Sequence, residues 1–286
     1  MINFTDINEV RNILNEYDFN FSKSLGQNFL IDSTVCPRMA EICGASDECG
    51  VIEIGTGIGT LTSELAKKGG KVVTMEVDKK LYPIIDKTLA DFDNIKVLHQ
   101  DAMKSDLKKI IVEEFESKDV AVCANLPYYI TSPILMFLLE SGIQWRNITV
   151  MIQKEVADRI CAEPGKKNTG AITYAIRYYG KAEKCFTVPS DSFVPPPKVN
   201  SSVMKITPDS SLKELVEHPK TYFSLVRAVF AQRRKRFTNS VSANLGIDRE
   251  TITNILRKLE IDENVRIEQM TAEEVASVAN EINKIK

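Results

Sequence analysis

The stretch "VIEIGTGIGTLT", residues 51 to 62, decides the fold. An apolar run enters it, and Gly55, Gly57 and Gly59 follow at alternate positions. Leu61 and Leu65 then stand four residues apart before a Gly-Gly stop. Closely spaced glycines let the chain turn sharply and bring backbone near a ligand, and an i, i+4 leucine pair lies on one helix face. The stretch therefore reads as strand, glycine turn and helix. A dinucleotide fingerprint needs G-x-G-x-x-G, and position 60 is Thr, so a pyrophosphate cradle is disfavoured while an adenosine-like ligand is not.

Four further apolar runs continue the pattern at 71–77, 95–101, 120–125 and 148–153, with helical spacing between them. Strand and helix alternating every ~20–25 residues predict a parallel, doubly wound sheet covered on both faces. "AITYAIRYYGKAEKCFTVP" (171–189) and "SSVMKIT" (201–207) read as two more strands, joined through the proline-rich "FVPPPKV". Beyond Pro208 only helical spacing remains, at 218–232, 249–259 and 271–285, the last opened by a Thr271–Glu274 capping box. The expected division is a domain over 1–208, with a helical extension at 1–22, and a helical domain over 209–286.

Composition sets the bounds. The 286 residues are 43% hydrophobic and 27% charged, ordinary for a globular protein, and no apolar run approaches a membrane span. The N-terminus mixes acids with apolar residues as an amphipathic helix does, rather than a signal peptide. Six scattered cysteines without a C-x-x-C pair fit free thiols in a reducing cytoplasm, and neither a metal site nor a disulfide framework. Net charge is −2, yet no acid falls between His218 and Ile247, where Lys220, Arg227, Arg233, Arg234, Lys235 and Arg236 collect. That face suits phosphate binding, and a merely solvated helix face gives the same count.

The strand ends carry the chemistry. Gly55 and Gly57, Glu76, Asp101 and Asn125 fall at the carboxyl ends of four consecutive predicted strands, where doubly wound sheets bind ligands. A carboxylate at Glu76 can accept from ribose hydroxyls, a logic shared by NAD and S-adenosylmethionine (SAM) sites, and Asp101 can read an adenine amine. "CANLPYYITSPI" (123–134) then leaves its strand through Asn125, Pro127 and two tyrosines. With SAM as ligand, the Asn125 amide oxygen and a backbone carbonyl fixed by Pro127 can hold both N–H bonds of an adenine amine. The nitrogen lone pair is thereby freed toward the methyl group. Tyr128 is placed to stack on the base, worth ~1–3 kcal/mol against the few kcal/mol of flipping it out. Tyr129 reads as packing, and His99 and His218 as structural or solvated.

"SLGQNFL" (24–30), "EIGTGIGTLT" (53–62), "NLPYYITSPI" (125–134) and "FVPPPKVNSSV" (193–203) together resemble the KsgA (RsmA) family of rRNA adenine dimethyltransferases, in the family's order. The resemblance implies a Rossmann-like SAM-dependent methyltransferase domain with a smaller C-terminal all-helical domain. It implies SAM contacts from Asn28 and Leu30 as well as Gly55, Gly57, Glu76, Asp101 and Asn125, with S-adenosylhomocysteine (SAH) as product. Phe193 is similar to the family's second stacking aromatic, opposite Tyr128. Catalysis is thus assigned to Asn125, Tyr128 and Phe193, with no metal, and RNA contact to Lys198, Arg227, Arg233, Arg234, Lys235 and Arg236.

The implied substrate is a pre-30S or 30S particle, at two adjacent adenosines near the 3′ end of 16S rRNA, and the implied enzyme is a cytoplasmic monomer. Erm-type enzymes, which share the fold and act on 23S rRNA, are the nearest alternative. Leu25-Gly26 before Gln27, "YYITSPI", and "VFAQRRKRFTNSV" (229–241) favour the KsgA side, the last departing from the family at Arg236-Phe237. A non-catalytic assembly factor on the same fold and a small-molecule methyltransferase remain as rivals. Intact site residues weigh against the first, and the helical basic segment against the second.

Overall fold

The computed structural model describes residues 2–22, 26–116 and 119–285. Ser24 and Leu25 of the SLGQNFL motif lie outside the described residues. The strands are β1 (Phe29–Leu30), β2 (Cys49–Ile54), β3 (Val72–Met75), β4 (Ile95–Leu98), β5 (Asp119–Asn125), β6 (Ile148–Gln153), β7 (Gly180–Val188), β8 (Phe193–Val194) and β9 (Ser201–Pro208). Seven of them form one sheet in the order β4-β3-β2-β5-β6-β9-β7, while β1 and β8 pair separately. β4 through β6 are mutually parallel, and β9 runs antiparallel to β6. All six residues of β2 are buried, as a strand flanked on both edges and covered on both faces must be.

From β2 the chain builds β3 and β4 to one side, then returns to lay β5 and β6 on the other. Strand order therefore reverses between β2 and β5, and the crevice at such a switch point is where doubly wound sheets bind ligands. The helix Thr60–Ala66 following β2 buries Leu61 and Leu65, the pair its spacing announced. The N-terminal helix Ile7–Glu16 turns Val10, Ile13 and Leu14 inward and packs its stripe against Leu81, Ile84 and Ile85.

The chain divides into two compact units that interleave in sequence. One comprises Met1–Ala157 and Glu183–Thr207, the other Asp158–Ala182 and Pro208–Lys286. The single boundary expected near residue 209 thus misses a segment, and the reason is a misread element. Ala171–Tyr179 is a helix, not the first half of a strand, and the strand begins only at Gly180. Its tyrosines and isoleucines favour β structure locally, yet Tyr174 and Tyr178 stand one helical turn apart. Both are buried in the core of the helical unit, with Tyr222, Leu225, Val229 and Phe237.

Tyr174 pins that core with more than apolar area. Its hydroxyl lies 2.6 Å from the Met270 carbonyl and 2.9 Å from that of Ile267, while the Tyr222 hydroxyl donates to the Tyr174 carbonyl at 3.0 Å. The helices Pro219–Ala231, Arg249–Lys258 and Ala272–Lys284 match the expected ones, and the Thr271–Glu274 capping box closes in both directions. Removing the Tyr174 hydroxyl takes the donor from the Met270 carbonyl and the acceptor from the Gly165 N–H, while the Ile267 carbonyl keeps the Met270 N–H. Tyr174→Phe is therefore expected to lower unfolding free energy by about 1–3 kcal/mol. Urea denaturation checks this, and an unchanged midpoint contradicts it.

Candidate active site

A cavity of about 250 Å3 opens at the switch point. Among the residues lining it are all seven assigned to the cofactor from sequence, together with Tyr128 and Phe193. Its inner wall is apolar, with Cys36, Met39, Met75 and Leu81, and its polar groups sit at strand ends.

The glycine turn is tied to the second strand end through one carboxylate. Gly55 and Gly57 adopt φ of 85° and 59°, the left-handed region that glycine enters without a Cβ penalty. That conformation aims the Gly57 N–H at Glu76 Oε2, 2.9 Å away. Glu76 lies one residue beyond β3 and accepts at Oε1 from the N–H groups of Val77 (2.9 Å) and Asp78 (2.8 Å). An ionised carboxylate offers about four acceptor positions, so one on Oε2 remains for a ligand hydroxyl. Burial raises the Glu76 pKa, and the three backbone donors oppose that shift.

Asp101 lies three residues past β4 rather than on it, and its Oδ1 caps the following turn by accepting from Met103 N–H at 3.0 Å. Its Oδ2 faces Lys104 Nζ at 3.8 Å and is the oxygen left for a ligand amine. From the other side of the cavity comes the 26–30 segment. Gln27 Nε2 donates to Asp78 Oδ2 at 2.7 Å, and Asn28 Nδ2 donates to the Gly26 carbonyl at 2.9 Å. The two-residue β1 pairs antiparallel with β8, setting Leu30 opposite Phe193. Sequence reasoning missed this ladder, which joins segments about 160 residues apart through strands too short to show periodicity.

Asn125 closes β5, and its side-chain amide makes no hydrogen bond to any described residue, which leaves both its donor and its acceptor for a ligand. Tyr128 is half-buried with its hydroxyl 2.7 Å from Ser201 Oγ, and burial raises its pKa. The hydrogen bond fixes the ring at the edge of the cavity. Phe193 is only 3% exposed, so its ring forms inner wall. Tyr129, expected to pack, is instead 60% exposed at the cavity rim. His99 lies outside the cavity lining, stacked flat on Tyr82 with ring centroids 3.5 Å apart. Among the described residues no cluster of His, Cys, Asp or Glu could hold a metal, and none of the six cysteines is in a disulfide.

Glu53 is a wall residue that the sequence reading passed over, although an acid inside the run "VIEIG" was the available signal. It is fully buried, Thr62 Oγ1 donates to its Oε2 at 2.6 Å, and its Oε1 has no partner. Burial pushes its pKa up to about 8, although the Thr62 bond pulls the other way. An unpaired buried oxygen in the wall of this cavity fits a polar ligand better than an apolar one.

The basic residues divide differently from the expectation. Arg233, Arg234 and Lys235 stand in the turn after the helix Pro219–Ala231, not on a helix, because the helix ends at Gln232. Arg233 is tied down: its Nε meets Glu268 Oε2 at 3.2 Å and its guanidinium donates to the Lys167 carbonyl at 2.6 Å. Arg234, Lys235, Arg236, Arg227 and Lys198 are exposed. A groove of about 750 Å3 in the helical unit brings Lys167 and Arg266 beside Arg234 and Lys235. No local motif marked those two.

Thr60 stands where a dinucleotide fingerprint needs glycine, and the strand-end acid suits a ribose in either kind of site. The fold and this edge, together with the family match that follows, place the chain in the class of Rossmann-like, SAM-dependent methyltransferases. The sequence profile of ribosomal RNA adenine dimethylase matches residues 18–284. The chain is 44% identical over 279 residues to the ribosomal RNA small subunit methyltransferase A of Geobacillus sp. (strain WCH70), covering 96% of each. It is 46% identical over 274 residues to the protein of that name from Geobacillus thermodenitrificans, covering 94% of each. Its fold matches a dimethyladenosine transferase from Plasmodium falciparum with a TM-score of 0.75 at 24% identity, over 89% of this chain and 97% of that one. The 23S rRNA methyltransferase ErmE shares the fold at a TM-score of 0.69 and 24% identity, over 90% and 100% of the two chains. The chain belongs to the ribosomal RNA adenine dimethylase family.

Glu53 gives this site a pH signature. The unfolded carboxyl ionises near its ordinary 4.5, whereas the folded one holds its proton to about 8. Between those values the native state binds more protons, so stability falls as pH rises, by up to about 1.4 kcal/mol per unit. Glu53→Gln removes this dependence and is expected to gain progressively on the wild type from about pH 5 to about pH 8. Urea midpoints across that window measure it, and a constant difference contradicts it.

Proposed function

We propose that the chain dimethylates the N6 amines of two adjacent adenosines near the 3′ end of 16S rRNA, in the pre-30S or 30S particle, as part of ribosome biogenesis. The observation that carries this reading is the unbonded Asn125 amide at the end of β5, in a cavity it shares with Tyr128 and Phe193. The curated relatives at 44% and 46% identity act, by name, on small-subunit rRNA, which supports the 16S substrate over the 23S one.

In this reading Glu76 and Asp101 hold the ribose and adenine of SAM, while Asn28, Leu30, Gly55 and Gly57 form the rest of its seat. Bound SAM supplies an electrophilic methyl group. Asn125 and the backbone beside Pro127 accept from the target amine and turn its lone pair out of conjugation with the ring. Tyr128 and Phe193 sandwich the flipped base. No strong base is required, because positioning and preorganised acceptors supply the rate enhancement. The protein acts as a monomer in the cytoplasm. Among the described residues no helix is long and apolar enough to cross a membrane.

The groove around Arg234 and Lys235 grips rRNA phosphates, with Arg227 and Arg236 of the same unit adding charge, while Arg233 shapes the turn; Lys198, on the other unit, is a separate phosphate contact. Phosphate contacts of this kind orient the particle and leave base choice to the cavity.

Asn125→Ala is expected to cut methyl transfer to undermethylated 30S subunits about 10²–10³-fold while SAH binds within a few-fold of wild type. Retained activity sinks the mechanism. Arg234→Ala with Lys235→Ala is expected to weaken particle binding and flatten its log–log salt slope by roughly 0.7–0.9 per lost phosphate contact. An unchanged slope removes the groove from the RNA interface.

A further inference from the structure

Beyond the residues that face the ligands, one polar contact joins the two halves of the site. Asp32 follows β1, and Ser192 immediately precedes β8. The Ser192 hydroxyl donates to Asp32 Oδ2 at 3.1 Å, and the Ile31 N–H donates to the Ser192 carbonyl at 2.9 Å. These two bonds extend the β1–β8 ladder past its Leu30–Phe193 pair. Asp32 itself is fixed from its other oxygen: Oδ1 accepts from the Thr34 N–H at 2.9 Å and the Thr34 hydroxyl at 2.7 Å. Ser192 is 8% exposed and Asp32 only partly buried, so the contact is shielded from water on the serine side. The Thr34 bonds hold the Asp32 pKa below its ordinary value, and the Ser192 and Arg38 interactions work in the same direction. The acceptor is therefore a carboxylate, and hydrogen bonds to an ionised acceptor are the stronger kind.

The position of this contact gives it consequence. One strand of the ladder carries Leu30 and continues from Asn28, both of which line the cavity, and the other carries Phe193. Leu30 and Phe193 are buried in the same apolar cluster, at 4% and 3% exposure. A shift of either strand moves its cross-strand neighbour, because packed interiors transmit displacement rather than absorb it. A two-residue ladder has few backbone bonds of its own, so the side-chain contact carries a large share of its rigidity.

We propose that Asp32 and Ser192 are positioning residues that clamp the cofactor segment to the base-stacking segment, so that SAM and the target adenine each favour binding of the other. The proposal rests on the reading of Asn28 and Leu30 as cofactor contacts and of Phe193 as the stacking ring. Neither Asp32 nor Ser192 lines the cavity. Their effect is a coupling free energy between two sites, and such coupling is reciprocal. A role for Asp32 confined to starting the next helix involves Oδ1 and Thr34 alone and leaves Ser192 without influence on either ligand.

The test measures SAH affinity calorimetrically, for the protein alone and with saturating undermethylated 30S subunits. Wild type is expected to bind SAH about fivefold tighter or more in the presence of the particle. Ser192→Ala, which leaves the Thr34 bonds intact, is expected to bind SAH alone within about twofold of wild type and to lose most of that enhancement. Asp32→Asn keeps the Oδ1 acceptor, replaces the charged one, and serves as the second variant should Ser192→Ala lose SAH binding altogether. Full enhancement in the folded variant, or none in wild type, overturns the clamp. Phe193→Ala separates the two levels: a wild-type transfer rate in that variant means that the reading of Phe193 has failed, whatever the clamp does.

Discussion

Everything in the catalytic unit follows from a strand that has no exposed residue. β2 is hydrogen-bonded in parallel on both edges and covered on both faces. A strand so confined can meet solvent and ligands only at its end. The chain must escape there within a few residues, and glycines with positive φ make that turn possible. The turn points a backbone N–H at Glu76, and the parallel register delivers Asn125 to the same edge on the other side. The site is the exit of a buried strand, furnished by its two neighbours.

Burial also sets the electrostatics. Glu53 and Glu76 both lie in the cavity wall with raised pKa values, Glu53 because desolvation outweighs the opposing Thr62 and Thr74 hydroxyls, Glu76 less so because three backbone donors oppose it. Holding acids in a desolvated wall costs folding free energy, and such costs concentrate at functional sites. Asn125, by contrast, is neutral. An amide can hold an amine without the desolvation cost of a second ionised group, which suits a reaction that needs orientation rather than proton abstraction.

The ends of β2 and β5 were legible in the sequence because period and punctuation agree there, with apolar runs closed by glycines or an amide, whereas β4 stops three residues short of Asp101. Three helices of the second unit, Pro219–Ala231, Arg249–Lys258 and Ala272–Lys284, were legible for the same reason, down to the Thr271 capping box. What stayed hidden depends on contacts distant in sequence. Ala171–Tyr179 has β-favouring residues, and only its packing among Tyr222 and Phe237 makes it a helix. The β1–β8 ladder is two residues long on each side, too short for any pattern. Arg233 looked like its neighbours Arg234 and Lys235 until Glu268 and the Lys167 carbonyl claimed it. Tyr129 looked like core beside Tyr128, although only one of the two finds a buried hydroxyl partner.

The central claim is that this cavity methylates adenosine in the small-subunit particle. The most direct measurement offers labelled SAM to undermethylated 30S subunits and, separately, to protein-free 23S rRNA, with recovered nucleosides analysed by mass spectrometry. The account predicts N6,N6-dimethyladenosine from the 30S sample alone. Product from the 23S rRNA instead, or none from either sample by a protein that binds SAM, contradicts it.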